Sequence, residues 1–287
     1  MDEKDVPSDP PPAYITGAAA QGIRLRQSAP ARPGATPFQL PIITHLKDKR
    51  VILASSSPRR KALLAQVGLT NLEIIASRKP EDLPKTDLQP FEYVSATAQQ
   101  KCLDVYQAAL EAQEQAAAAA KKGEAAEATP EDPDLVIAAD TVIVTRDGRV
   151  LEKPRSEQDH VAMLTHLRDT RVHRVLTAVC VLAPKEDASH PGYELAAHTE
   201  ETKVFFAQES GGLPDDVIRS YVRTREGADK AGGYAVQGLG GLVLVERIEG
   251  SFDNVIGLPV RKCLQLAEKV IFRQGEVGEE GESSEDE

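Results

Sequence analysis

A short apolar run, Val51-Ile52-Leu53, passes directly into Ala54-Ser55-Ser56-Ser57-Pro58-Arg59-Arg60, and this junction constrains the fold more than any other stretch of the chain. The run suits a buried strand and the serines a tight turn. Pro58 suits a first helical position, with Ser57 as the expected N-cap and Gly68 as the stop after Lys61–Val67. A helix start presents free N–H groups and partial positive charge, and here two guanidinium groups join them. Arginine in a first turn is unfavourable unless an anion offsets it, so the corner is read as a phosphate site. A capped surface helix with a basic first turn is the plain alternative.

Apolar runs and helical patterns alternate along the body in the manner of an α/β domain. Strands are expected at 50–54, 73–76, 135–139, 142–145, 172–183, 200–207 and 242–248. Helices are expected at 58–67, 90–112, 156–168, 214–224 and 259–270. Residues 1–48 carry eight prolines and no sustained period, which predicts a disordered arm ahead of a folded domain at 49–272. The alanine-rich and then acidic stretch at about 113–134 is an insertion that lengthens one helix and then breaks. The tail, 273–287, is acidic and solvated.

The net charge of −11 argues against a nucleic-acid or anionic-membrane binder. No apolar run reaches the ~20 residues of a membrane span. Cys102, Cys180 and Cys263 lie far apart in apolar contexts, which suits buried thiols in a reducing, cytoplasmic setting. The six histidines lack zinc-site spacing and are read as surface or partly buried residues.

Two further elements carry chemistry. In Leu135–Val144 an apolar run is interrupted once, by Asp140-Thr141. An ionised Asp in a buried strand needs a cation or hydrogen-bond donors, although a turn cap is the bland reading. Just beyond, a turn at Asp147-Gly148 would carry Lys153 back toward that strand. In Asp229–Gly241 five glycines fall between 232 and 241, which implies close approach of backbone to backbone or to ligand, or else plain tight turns. Gln237 in this loop can both donate and accept, which suits a base edge.

Taken together, Ser-x-Ser-Pro-Arg-Arg, Ala-Asp-Thr, Leu-Glu-Lys-Pro, Asp-Lys-Ala-Gly-Gly-Tyr and Gln-Gly-Leu-Gly-Gly resemble the Maf family of nucleoside triphosphate pyrophosphatases from about residue 49 to 270. Phe91–Lys101 resembles that family's lysine-bearing helix. The resemblance implies a Maf/ITPase-like fold, with a central mixed twisted sheet flanked by helices and two lobes about a cleft. It implies a homodimer and release of pyrophosphate from a triphosphate. Arg60, Thr141, Glu152 and Gln237 side with the dTTP and UTP subgroup over the 7-methyl-GTP subgroup. On that basis Asp140 is the expected proton acceptor. Ser55, Ser57, Arg59, Lys101, Lys153 and Lys230 bind phosphate, and Arg60, Thr141 and Gln237 choose the base. Asp140, and less strongly Glu81, would hold magnesium or manganese.

A 7-methyl-GTP-type or broad nucleotide pyrophosphatase, or a non-hydrolysing nucleotide-binding regulator of cell division, remains open beside this reading. Separately, Pro11-Pro12-Ala13-Tyr14 matches a Pro-Pro-x-Tyr ligand for WW domains.

Overall fold

The computed structural model describes residues 39–79, 88–121, 131–185, 187 and 190–274. Glu81, the Pro11–Tyr14 motif, residues 122–130 of the insertion and the acidic residues from 275 onward lie outside them.

The strand–turn–helix junction forms as expected: β1 (Val51–Leu53) leads into α2 (Pro58–Gln66), preceded by α1 (Pro41–Leu46). The chain continues through β2 (Leu72–Ile74), the long α3 (Pro90–Lys121), β3 (Leu135–Thr145), β4 (Val150–Leu151) and α4 (Glu157–Thr170). A long antiparallel pair follows, β5 (Val172–Pro184) and β6 (Tyr193–Phe206), then α5 (Asp215–Arg223), β7 (Val245–Glu249), α6 (Phe252–Ile256) and α7 (Val260–Phe272). The strands make one mixed seven-stranded sheet in the order β2-β1-β3-β5-β6-β7, with β4 on β3. β1 runs parallel to β2 and β3, and the remaining pairs are antiparallel.

Side-chain alternation along β3 divides the core. Leu135, Ile137 and Ala139 face a cluster with Leu63 and Leu64 of α2 and Cys263, Ala267 and Val270 of α7. Val136, Ala138, Val142 and Val144 face Val94, Ala98, Cys102 and Val105 of α3. A third cluster gathers α4, α5 and the glycine loop around Phe206 and Tyr234.

One detail of the sheet positions the site. β1 is only three residues long and pairs with β3 as far as Ile137, while β4 pairs with the same edge only from Ile143. Among the described residues, 138–142 therefore have no strand partner on that edge. The sheet has a notch there, bordered by side chains of both faces.

Several expectations are corrected. β3 is continuous through Asp140-Thr141, where two strands were expected, because both polar side chains find partners without leaving the strand. The arm was expected to stay disordered to residue 48, but Pro41–Leu46 is helical, with Ile42 and Leu46 buried in the core. β6 begins at Tyr193, well before the expected 200, whereas α3 is lengthened through the alanine run to 121 as expected of the insertion. Residues 240–244 form a π-helical turn instead of the start of a strand, because the Gly241 backbone is pressed onto Val236 O and Leu242 points out at 83% exposure. His160 and His173, expected at the surface or partly buried, are fully buried. Cys102, Cys180 and Cys263 are buried free thiols, as expected. Among the described residues, no helix is long and apolar enough to cross a membrane.

Candidate active site

The notch opens into a cleft of about 680 Å³. Its walls bring together Ser55, Ser57, Arg59 and Arg60 from the junction, Lys101 from α3, and Asp140 and Thr141 from β3. Lys153 follows β4, and Lys230 and Gln237 come from the glycine loop. Every expected site residue except Glu81, which is outside the described set, thus lines one space. Among the described lining residues, six are cationic (Arg59, Arg60, Lys79, Lys101, Lys153, Lys230) and three anionic (Asp140, Glu152, Asp229). A basic cleft in an acidic chain selects an anionic ligand.

Arg59 and Arg60 diverge because successive helical residues point about 100° apart. Arg59 stays at the serine-turn corner of the cleft, 3.4 Å from Asp229. Arg60 turns inward: Nε donates to Gly257 O at 2.7 Å, Nη1 to Ser55 Oγ at 3.0 Å and Nη2 to Thr141 Oγ1 at 3.0 Å. Ser57 does not cap α2 with its side chain as expected. Ser55 Oγ instead accepts from both Ser57 N and Arg60, so the turn is closed by the serine two residues earlier and Ser57 lines the cleft.

Asp140 and Thr141 lie on opposite faces of β3 but both border the notch. Asp140 faces α3, where Lys101 Nζ donates to Oδ1 at 2.7 Å. Thr141 faces α2 and α6, beside Arg60 and Thr177. The turn at Gly148, with φ of +84°, carries β4 back onto β3 and brings Lys153 to the rim as expected. Among the described residues, no cluster of three or more His, Cys, Asp or Glu forms a protein-only metal cage.

The glycine loop is built by backbone packing. A Cβ on Gly227 would lie 1.8 Å from Gly233 O, and one on Gly241 would lie 1.8 Å from Val236 O. Sequence reasoning missed Glu226, whose carboxylate accepts from Leu239 N at 2.9 Å and Gly240 N at 3.0 Å and so holds the loop next to Gln237. Burial works against this carboxyl's charge, yet the two N–H donors and Tyr221 outweigh it and hold it below the usual range. Also missed was Asp104, which takes Ser77 Oγ at 2.7 Å and Arg78 N at 3.0 Å and so fixes the segment carrying Lys79. Neither residue belongs to a recognisable motif, and only the fold reveals their role.

Residues 50–270 match the family described as Maf-like protein. A dTTP/UTP pyrophosphatase of Schizosaccharomyces pombe is 44% identical over 228 residues, covering 79% of this chain and 86% of that protein. One from Anaeromyxobacter dehalogenans is 42% identical, covering 78% and 95%. A probable bifunctional dTTP/UTP pyrophosphatase/methyltransferase of Homo sapiens is 39% identical over 79% of this chain, which spans only 33% of that longer protein.

Proposed function

Because the chain belongs to the Maf-like protein family, we propose that its cleft hydrolyses dTTP and UTP to the monophosphate and pyrophosphate. The observation that carries the reading is one buried carboxylate, Asp140, held by Lys101 inside a cleft whose rim is cationic.

The phosphates of a bound nucleotide are balanced by Arg59, Lys153, Lys230 and the helix start at Ser57. Asp140 accepts a proton from water as its oxygen forms a bond to the α-phosphorus. The bond from that phosphorus to the bridging oxygen breaks, and pyrophosphate leaves. Lys101 fixes the orientation of the carboxylate and adds positive charge where the attacking and phosphate oxygens meet. The base lies against Arg60, Thr141 and Gln237. The oxygen donors fit a hard divalent cation, Mg²⁺ or Mn²⁺, which Asp140 and the substrate phosphates would hold, with Glu152 in the same cleft. Such an ion supplies further charge neutralisation on the triphosphate.

Three buried unpaired thiols support a reducing, cytoplasmic location. A homodimer is part of the proposal, and the exposed Leu239, Leu242 and Val243 offer an apolar face for it. Sedimentation of the purified chain tests that point.

Turnover of UTP in ¹⁸O-labelled water tests the reaction. Label in UMP and none in pyrophosphate is expected. Label in the phosphate products of β- or γ-attack would refute it.

A further inference from the structure

Behind Thr141, away from the cleft, a buried chain of hydrogen bonds fixes the direction of its hydroxyl. Thr177 is fully buried on β5, directly opposite Thr141 in the β3–β5 register. Its Oγ1 donates to Asn254 O at 2.9 Å. A hydroxyl has one hydrogen, so in the 3.0 Å contact between Thr141 Oγ1 and Thr177 Oγ1 the donor is Thr141. Arg60 Nη2 also donates to Thr141 Oγ1. With its hydrogen committed and one lone pair taken, Thr141 has only an acceptor lone pair left for the cleft. Asn254 holds the far end: it is fully buried, and its Nδ2 donates to Val175 O at 3.1 Å and Thr202 Oγ1 at 2.9 Å. Its carbonyl is thereby tied to both β5 and β6.

We propose that Thr177 and Asn254 are positioning residues for base choice, which hold Thr141 as an obligate acceptor beside the obligate donor Arg60. This rests on the proposed function, in which the base lies against those two residues. A donor next to an acceptor matches a carbonyl next to a ring N–H, the edge of uracil and thymine. Cytosine presents a ring nitrogen lone pair where the N–H should be, and meets the Thr141 lone pair head-on. To donate to cytosine, Thr141 must withdraw its hydrogen from Thr177, whose side chain is fully buried. A lost buried hydrogen bond of this kind corresponds to about ten- to hundred-fold discrimination.

The test compares kcat/KM for UTP and CTP in the wild type, Thr177→Val and Thr177→Ser. The wild type is expected to favour UTP. Thr177→Val keeps the side-chain shape and removes the acceptor, so the UTP:CTP ratio should fall about ten-fold or more. Thr177→Ser should keep the wild-type ratio. A purely structural role would lower both nucleotides together. An unchanged ratio in Thr177→Val, or an equal fall in Thr177→Ser, overturns the positioning role while leaving the pyrophosphatase reading intact. A wild type that cleaves neither nucleotide overturns both. Wild-type turnover of N3-methyl-UTP, which keeps both carbonyls and lacks the N–H, requires no variant. It should fall at least as far, and cleavage equal to that of UTP overturns the inference.

Discussion

Lys101 Nζ donates to Asp140 Oδ1 at 2.7 Å, with the two side chains only 12% and 10% exposed. The pair joins α3 to β3 at the notch, and each partner makes the other's burial tolerable. Lys101→Met leaves the Asp140 carboxylate without this donor in a poorly solvated place. We expect kcat/KM for UTP to fall about 10²–10³-fold and stability to fall by about 1–3 kcal/mol. Steady-state kinetics and a thermal melt check both, and a wild-type rate would contradict the role.

The two arginines of the junction should separate by phenotype. Arg59→Ala removes charge at the serine-turn corner and should weaken all nucleotides alike, by about 10–100-fold in kcat/KM. Arg60→Ala removes the group bonded to Ser55, Thr141 and Gly257, and should change the ranking of nucleotides as well as the rate. A panel of nucleoside triphosphates assayed with both variants decides this. Uniform loss in Arg60→Ala would count against its role at the base.

Gly241→Ala should disrupt the loop that carries Gln237. The added methyl would lie 1.8 Å from Val236 O, a backbone atom that no side-chain rotation can move away. We expect a loss of at least about 2 kcal/mol together with weaker UTP turnover. A melting temperature equal to wild type would show that the packing is looser than described.

Burial pushes the His173 imidazole down to about 3, from an ordinary value of 6.5. Above pH 6.5 the ring is neutral in both folded and unfolded chains and contributes no pH dependence. Between 6.5 and about 3 only the unfolded chain takes up the proton, so stability falls as the pH falls, by up to about 1.4 kcal/mol per pH unit. His173→Gln retains a polar partner for Tyr234 and should flatten the dependence of unfolding free energy on pH across this window. An identical slope in the variant would remove His173 as its source.

Much of this architecture was legible because local chemistry and global fold agree. Val51–Arg60 reads as a strand, a serine turn and a helix start, and forms that junction at the wall of the cleft, and the single carboxylate in an apolar run called for a cation that proved to be Lys101. The misses have physical reasons. Leu242-Val243-Leu244 has the composition of a strand, and only the contact of Gly241 with Val236 turns it into a π-helical segment. A six-residue helix at Pro41–Leu46 is too short to show a period. Thr177 lies 36 residues from Thr141 and 77 from Asn254, so nothing local marks it as more than a threonine in a strand. Glu226 carries no local signal because its two N–H partners come from a loop more than a dozen residues away.

The central claim is that Asp140 takes the proton in a pyrophosphate-releasing reaction. Its most direct test is pyrophosphate release from UTP and dTTP with Mg²⁺, comparing wild type with Asp140→Asn, which preserves size and removes the charge. We predict release by the wild type and a fall of at least about 10³-fold in the variant, with an unchanged fold by circular dichroism. A variant that turns over at the wild-type rate, or a wild type that binds UTP and releases nothing, would contradict the account.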